Sequence, residues 1–114
     1  MTWADAEQHC VSQGANLVSI HSPEENKFVS TLIQNYDHTQ QQTWIGLTEL
    51  HKETFWVWSD GCPVAFTMWN EGQPDNTHGD EHCGEMNWGG HQQWNDRPCK
   101  VESPSVCATR KPVC

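Results

Sequence analysis

Apolar residues in the first dozen positions fall at Trp3, Ala6, Cys10 and Val11, the spacing of one helical face. Thr2 stands ahead of them as an N-cap with Asp5 three residues on, and Gly14 supplies the stop, so the pattern predicts a first helix from Trp3. Residues 15–20, A-N-L-V-S-I, predict a strand. Ser22-Pro23-Glu24-Glu25 opens a second helix, with proline at the first helical position and a glutamate closing the capping box. Phe28, Leu32 and Ile33 are expected to turn inward, and the helix should end by Tyr36. The polar run 37–42 predicts a surface loop. Short apolar runs at 44–47, 55–58, 83–87 and 105–109 predict strands, and the Pro- and Gly-containing stretch 61–77 predicts a long irregular excursion. Two early helices followed by short strands make the fold class α+β, with no internal repeat and no low-complexity linker.

A chain of 114 residues is near the common domain size, so one domain over 1–114 is the simplest organisation. With 35% hydrophobic residues it builds a modest core, which crosslinks would reinforce. Six cysteines in so small a domain imply an oxidising compartment, hence a secreted, extracellular protein, although six allow fifteen pairings. The net charge of −9 with only six basic residues excludes a nucleic-acid partner, because phosphate binding needs a Lys/Arg-rich face. Most of the fifteen carboxylates, such as Glu24, Glu25 and Glu102, are expected only to keep the surface soluble. No apolar run is long enough to insert in a membrane, and no signal peptide precedes Thr2.

The chemistry concentrates between Gln73 and Cys99. Gln73, Asp75, Glu81, Asn95 and Asp96 place five side-chain oxygen donors in this stretch, and three carboxylates with two amides are about what one Ca2+ needs. Pro74, if cis, holds Gln73 and Asp75 to one side of a tight turn. Trp94 is expected to bury and anchor the start of Asn95-Asp96 while those two polar side chains stay at the surface.

Several pieces in order make the chain resemble the C-type lectin domain family over nearly its whole length. They are W-A-D-A-E-Q-H-C (3–10), G-A-N-L-V-S-I-H-S (14–22), W-I-G-L (44–47), W-V-W-S-D-G (56–61), W-N-E-G-Q-P-D (69–75), E-H-C (81–83), W-N-D-R-P-C (94–99) and V-C-A (106–108). The resemblance implies two helices packed on antiparallel sheets with a long irregular loop region, braced by disulfides Cys10–Cys107 and Cys83–Cys99. It implies that Gln73, Asp75, Glu81, Asn95 and Asp96 hold Ca2+, and that the ion takes two neighbouring sugar hydroxyls. Each hydroxyl then donates to a carboxylate and accepts from an amide N–H. The Gln-Pro-Asp order is associated in the family with galactose-type sugars, so the expected ligand is galactose or N-acetylgalactosamine. Trp88 and His91, with His78 behind them, are the candidates to stack on the sugar's apolar face, while Trp88 reads equally as a core or rim tryptophan. Glu49, Glu53 and Asn76 match positions that hold a second metal in some relatives; the alternative for the two glutamates is a solvated turn. Cys62 and Cys114 either pair with each other or reach a second chain to form a homodimer. Family members also begin with a strand ahead of the Trp3 helix, which this sequence lacks.

Other motifs fall away on chemistry. His78-Gly79-Asp80-Glu81-His82 matches a zinc-peptidase pattern, but that chemistry needs a helix, and Gly79 with the preceding Gln-Pro-Asp-Asn turn argues for a loop. His9, His21, His38 and His51 are scattered and are expected at the surface or at caps. No serine stands in a nucleophile elbow, so no enzyme is expected. The competing function is that of fish type II antifreeze proteins, which resemble the same family and bind ice through the same lobe. A protein-binding use of the fold would commonly lose the calcium ligands that this sequence retains.

Overall fold

The threonine before the first apolar residue caps helix α1 (Trp3–Ser12) in the computed structural model, where Thr2 Oγ1 accepts the Asp5 N–H at 3.3 Å. The structure describes residues 1–36, 42–49, 55–70, 72, 82–86, 93–109 and 114. Trp3, Ala6 and Cys10 are buried as the periodicity predicts, but Val11 is 45% exposed. Trp3 Nε1 donates to the Ile45 carbonyl at 2.9 Å and pins the helix to the strand below it. Gly14 ends the helix region with φ 76°, a left-handed conformation that favours glycine. From the same helix Glu7 accepts Asn16 Nδ2 (2.7 Å), the Leu17 N–H (2.8 Å) and Ser59 Oγ (2.9 Å), joining three distant segments.

Helix α2 (Pro23–Tyr36) starts where Ser22 Oγ accepts the Glu25 N–H at 3.1 Å. The Glu25 carboxylate reaches back to the His21 N–H at 3.0 Å, one residue earlier than a regular capping box. Its buried face is Asn26, Val29, Ser30 and Ile33. Phe28, expected inside, is 67% exposed, and Leu32 is half-buried. The inward stripe is thus rotated by about one residue, and its reason is chemical: Asn26 Oδ1 accepts the buried Trp94 Nε1 at 2.8 Å.

The strands are β1 (Ala15–Leu17), β2 (Thr43–Thr48), β3 (Val57–Trp58), β4 (Cys83–Met86), β5 (Trp94–Arg97) and β6 (Cys107–Thr109). β1 is shorter than the predicted 15–20, and β5 was not anticipated as a strand. One antiparallel sheet runs β3-β2-β4-β5, and β1 pairs with β6 in a second. β2 is buried along its whole length and carries Trp44, Ile45 and Leu47 into two apolar clusters. Among the described residues the excursion after β3 is irregular, apart from a parallel bridge between Trp69 and Trp94.

Disulfides Cys10–Cys107 and Cys83–Cys99 form, with Cα separations of 5.5 and 5.2 Å. Cys62 pairs with Cys114 at 5.6 Å, so neither sulfur is left to reach a second chain. The first closes a span of 97 residues, worth on the order of 4–5 kcal/mol in the chain-entropy model. No helix among the described residues is long and apolar enough to cross a membrane.

Gly46 on β2 packs against the end of β1 and the residue after it, and its N–H donates to the Val18 carbonyl at 2.8 Å. A methyl group there would sit 2.7 Å from the Leu17 carbonyl oxygen and 3.0 Å from that of Val18. Backbone oxygens on a buried strand cannot swing aside, so Gly46→Ala should destabilise the domain by about 2 kcal/mol or more. Urea denaturation measures this, and a midpoint equal to wild type would show that the sheets can separate freely.

Candidate functional site: the β4–β5 lobe

Trp94 is 0% exposed and begins β5, with Trp58, Phe66 and Trp69 set edge-on around it at ring separations of 5.5–5.9 Å. The bond to Asn26 is worth about 1 kcal/mol, whereas burying an indole is worth several times that. Packing therefore fixes the position of the ring and the hydrogen bond its orientation. On the backbone, Trp94 N–H donates to the Met68 carbonyl and Asn70 N–H to the Trp94 carbonyl, both at 2.8 Å. The chain leading toward Gln73 thus runs parallel to β5 as far as Asn70. On the other side β4 pairs antiparallel, with Glu85 opposite Asn95 and Gly84 opposite Asp96, and Cys83–Cys99 closes the far end.

Asn95 and Asp96 are not surface residues. They are 3% and 1% exposed, although β5 is the edge strand of its sheet, with only the Trp69–Trp94 bridge on its open side. Asn95 Oδ1 is buried without a hydrogen-bond donor among the described residues. Such an acceptor costs about 1–3 kcal/mol to bury, and a hard cation is one group that would satisfy it. Neighbours on a strand point to opposite faces, so Asn95 shares the side of Glu85 and Asp96 that of Gly84. The residues present fit Ca2+ in donor chemistry. Gln73, Asp75, Glu81, Trp88, His91, Asn76 and Glu53 lie outside the described residues.

Two further buried carboxylates frame this lobe: Glu85, which the sequence did not single out, and Glu49, expected as a second-metal residue or part of a solvated turn. Glu85 is 0% exposed; one oxygen accepts a short hydrogen bond from Ser103 Oγ, and Oε1 lies 3.6 Å from Arg97 Nη1. That distance makes an ion pair without a hydrogen bond, so Oε1 has no donor among the described residues. Arg97 Nη1 in turn donates to Gln42 Oε1. Burial pushes the Glu85 carboxyl up from its ordinary 4.5, and this outweighs the lowering by Ser103 and then by Arg97. Glu49 is 4% exposed rather than part of a solvated turn. Its Oε1 lies 3.2 Å from His82 Nδ1, and its N–H donates to the His82 carbonyl at 2.9 Å. Thr48 Oγ1 donates to the same carbonyl at 3.1 Å, so the residue next to Glu81 is held from three sides. The only sequence signal for Glu85 was a glutamate inside a strand of apolar positions, whereas Glu49 carried the family's second-metal match.

The Lectin C-type domain model matches residues 1–109, and the chain belongs to the C-type lectin domain family. Its members are carbohydrate-binding modules rather than enzymes. Over 108 residues the chain is 42% identical to the galactose-specific lectin nattectin of Thalassophryne nattereri, covering 95% of this chain and 67% of that protein. It is 41% identical over 113 residues to the lactose-binding lectin l-2 of Anguilla japonica, covering 96% and 66%. The chain thus spans about two thirds of the length of these relatives. Among solved structures, herring type II antifreeze protein superposes with a TM-score of 0.87 at 40% identity, over 97% of this chain and 84% of that one. A calcium-independent type II antifreeze protein superposes at 0.83 and 33% identity, over 94% and 77%.

The raised Glu85 carboxyl gives a signed expectation. Its contribution to stability is complete below the unfolded value of 4.5 and is lost as pH rises through the higher folded value. Glu85→Gln cannot ionise, so it should gain on wild type as the buffer is taken from below 4.5 to neutrality. Thermal denaturation of both proteins across that range measures the crossover; parallel curves would show that burial does not dominate at this site.

Proposed function

We propose that the chain is a single domain over residues 1–114 that binds galactose-type carbohydrate through Ca2+ held by Gln73, Asp75, Glu81, Asn95 and Asp96. The observation that carries this reading is the pair of buried side chains on β5, with Asn95 Oδ1 lacking a donor and Asp96 beside it. Gln73 follows Asn70 by three residues, and three residues span at most about 11 Å, so the Gln-Pro-Asp segment is within reach of that edge. Glu81 directly precedes the clamped His82. Bound there, Ca2+ would supply open coordination positions for two adjacent sugar hydroxyls. The carboxylates accept the hydroxyl protons, and the amides of Gln73 and Asn95 donate to the hydroxyl oxygens. Trp88 and His91 would cover the sugar's apolar face. The names of the two lectin relatives support the galactose-type choice. Three disulfides support secretion.

Glu49 argues against the second metal. Its buried carboxylate already meets the His82 ring, which takes one face that a second cation with Glu53 and Asn76 would need. The antifreeze reading is the second one, favoured by the herring superposition.

Asp96→Ala and Asp75→Ala should each abolish calcium-dependent retention on a galactose matrix while the fold persists, because the site loses charge it cannot replace. Gln73→Glu with Asp75→Asn should move preference toward mannose-type sugars. A glycan array with and without EDTA reads both. Galactose binding that survives EDTA would sink the proposal, and thermal hysteresis without galactose retention would transfer the lobe to ice.

A further inference from the structure

Beyond the turn that follows β3, Ser19 Oγ donates to Asp60 Oδ2 at 2.6 Å and lies 2.9 Å from His21 Nε2. Ser19 has one hydroxyl proton and gives it to Asp60, so Nε2–H must donate to Ser19. The polarity is the reverse of an activated serine, which removes hydrolysis from consideration. The same Asp60 accepts the Cys62 N–H on Oδ1 at 2.9 Å. One donor atom each from His21, Asp60 and Cys62 lies within 4.8 Å of the others, with Cys62 buried and the other two half-buried. Donors around a tetrahedral zinc ion are about 3.5 Å apart, so modest closure, with the imidazole ligating through its unprotonated nitrogen, completes a three-ligand face with water as the fourth.

We propose that His21, Asp60 and Cys62 form a zinc site that the Cys62–Cys114 disulfide keeps shut. While the bridge is closed, the sulfur is bonded to Cys114 and is a poor ligand. A dithiol reductant opens it: two electrons and two protons pass to the bridge, Cys62 and Cys114 become thiols, and the reductant closes to its own disulfide. Zinc then displaces the Cys62 proton to solvent and takes the thiolate. Imidazole, thiolate and one carboxylate select zinc over calcium, which prefers oxygen alone. β3 and β5 are opposite edges of the sheet, so this site is separate from the calcium lobe. Cys62–Cys114 joins a buried cysteine to an exposed one, as Cys10–Cys107 also does, whereas in Cys83–Cys99 one partner is buried and the other half-buried.

Cys114→Ser tests this without any reductant, since it frees Cys62 and keeps the other two bridges. Zinc chloride titrated by calorimetry should load one equivalent per chain on this variant and none on oxidised wild type. Adding His21→Ala or Asp60→Ala should weaken zinc by more than the roughly 10- to 100-fold typical of losing an outer-shell partner. Cobalt should give a sulfur charge-transfer band that Cys62→Ser with Cys114→Ser lacks. That double variant loses the same bridge and so controls for folding. Should Cys114→Ser misfold, wild type opened by limiting dithiol and cleared of it by gel filtration takes its place. Zinc affinity no greater than that of oxidised wild type, or unchanged by the His21 and Asp60 substitutions, overturns the assignment.

Discussion

The burial of Trp94 is the constraint on which the binding lobe depends. Its ring sits among three other aromatic rings, and its backbone is bonded toward the Met68–Asn70 segment while β5 pairs with β4. A large apolar group held this firmly sets the two residues that follow it, Asn95 and Asp96, in register without any help from a ligand. The irregular stretch before it is likewise brought to the β5 edge by two backbone hydrogen bonds rather than by regular structure. Precision in the lobe therefore comes from the core, while variable loop chemistry can be carried on it.

Charge inside the lobe follows a second rule. Glu85 and Glu49 are buried carboxylates, and each is met by a basic side chain from elsewhere, Arg97 and His82. These pairs offset desolvation only in part at Glu85, where the carboxyl stays raised. Such pairs make weak sources of stability but strong sources of specificity in register, since a slip of one residue would strand a charge. The lobe thus concentrates acceptors and compensates some of them, while Glu85 Oε1 and Asn95 Oδ1 have no donor among the described residues.

Much of this was legible in the chain alone where the physics is local. Thr2, Ser22, Pro23 and Gly14 act on neighbours within three or four residues, and their roles emerged as expected. The oxygen-rich composition of the stretch from Gln73 to Cys99 and the family pieces around it were equally visible. The burial of Asn95, Asp96 and Glu49, the choice of Val29 over Phe28 on α2, and the existence of β5 were not. Each depends on a partner far away in sequence, as with Asn26 and Trp94, which are 68 residues apart. Cap and turn chemistry is short-ranged and so is written in adjacent letters. Desolvation of a polar group is decided by whatever distant segment closes over it, and only the folded chain says which segment that is.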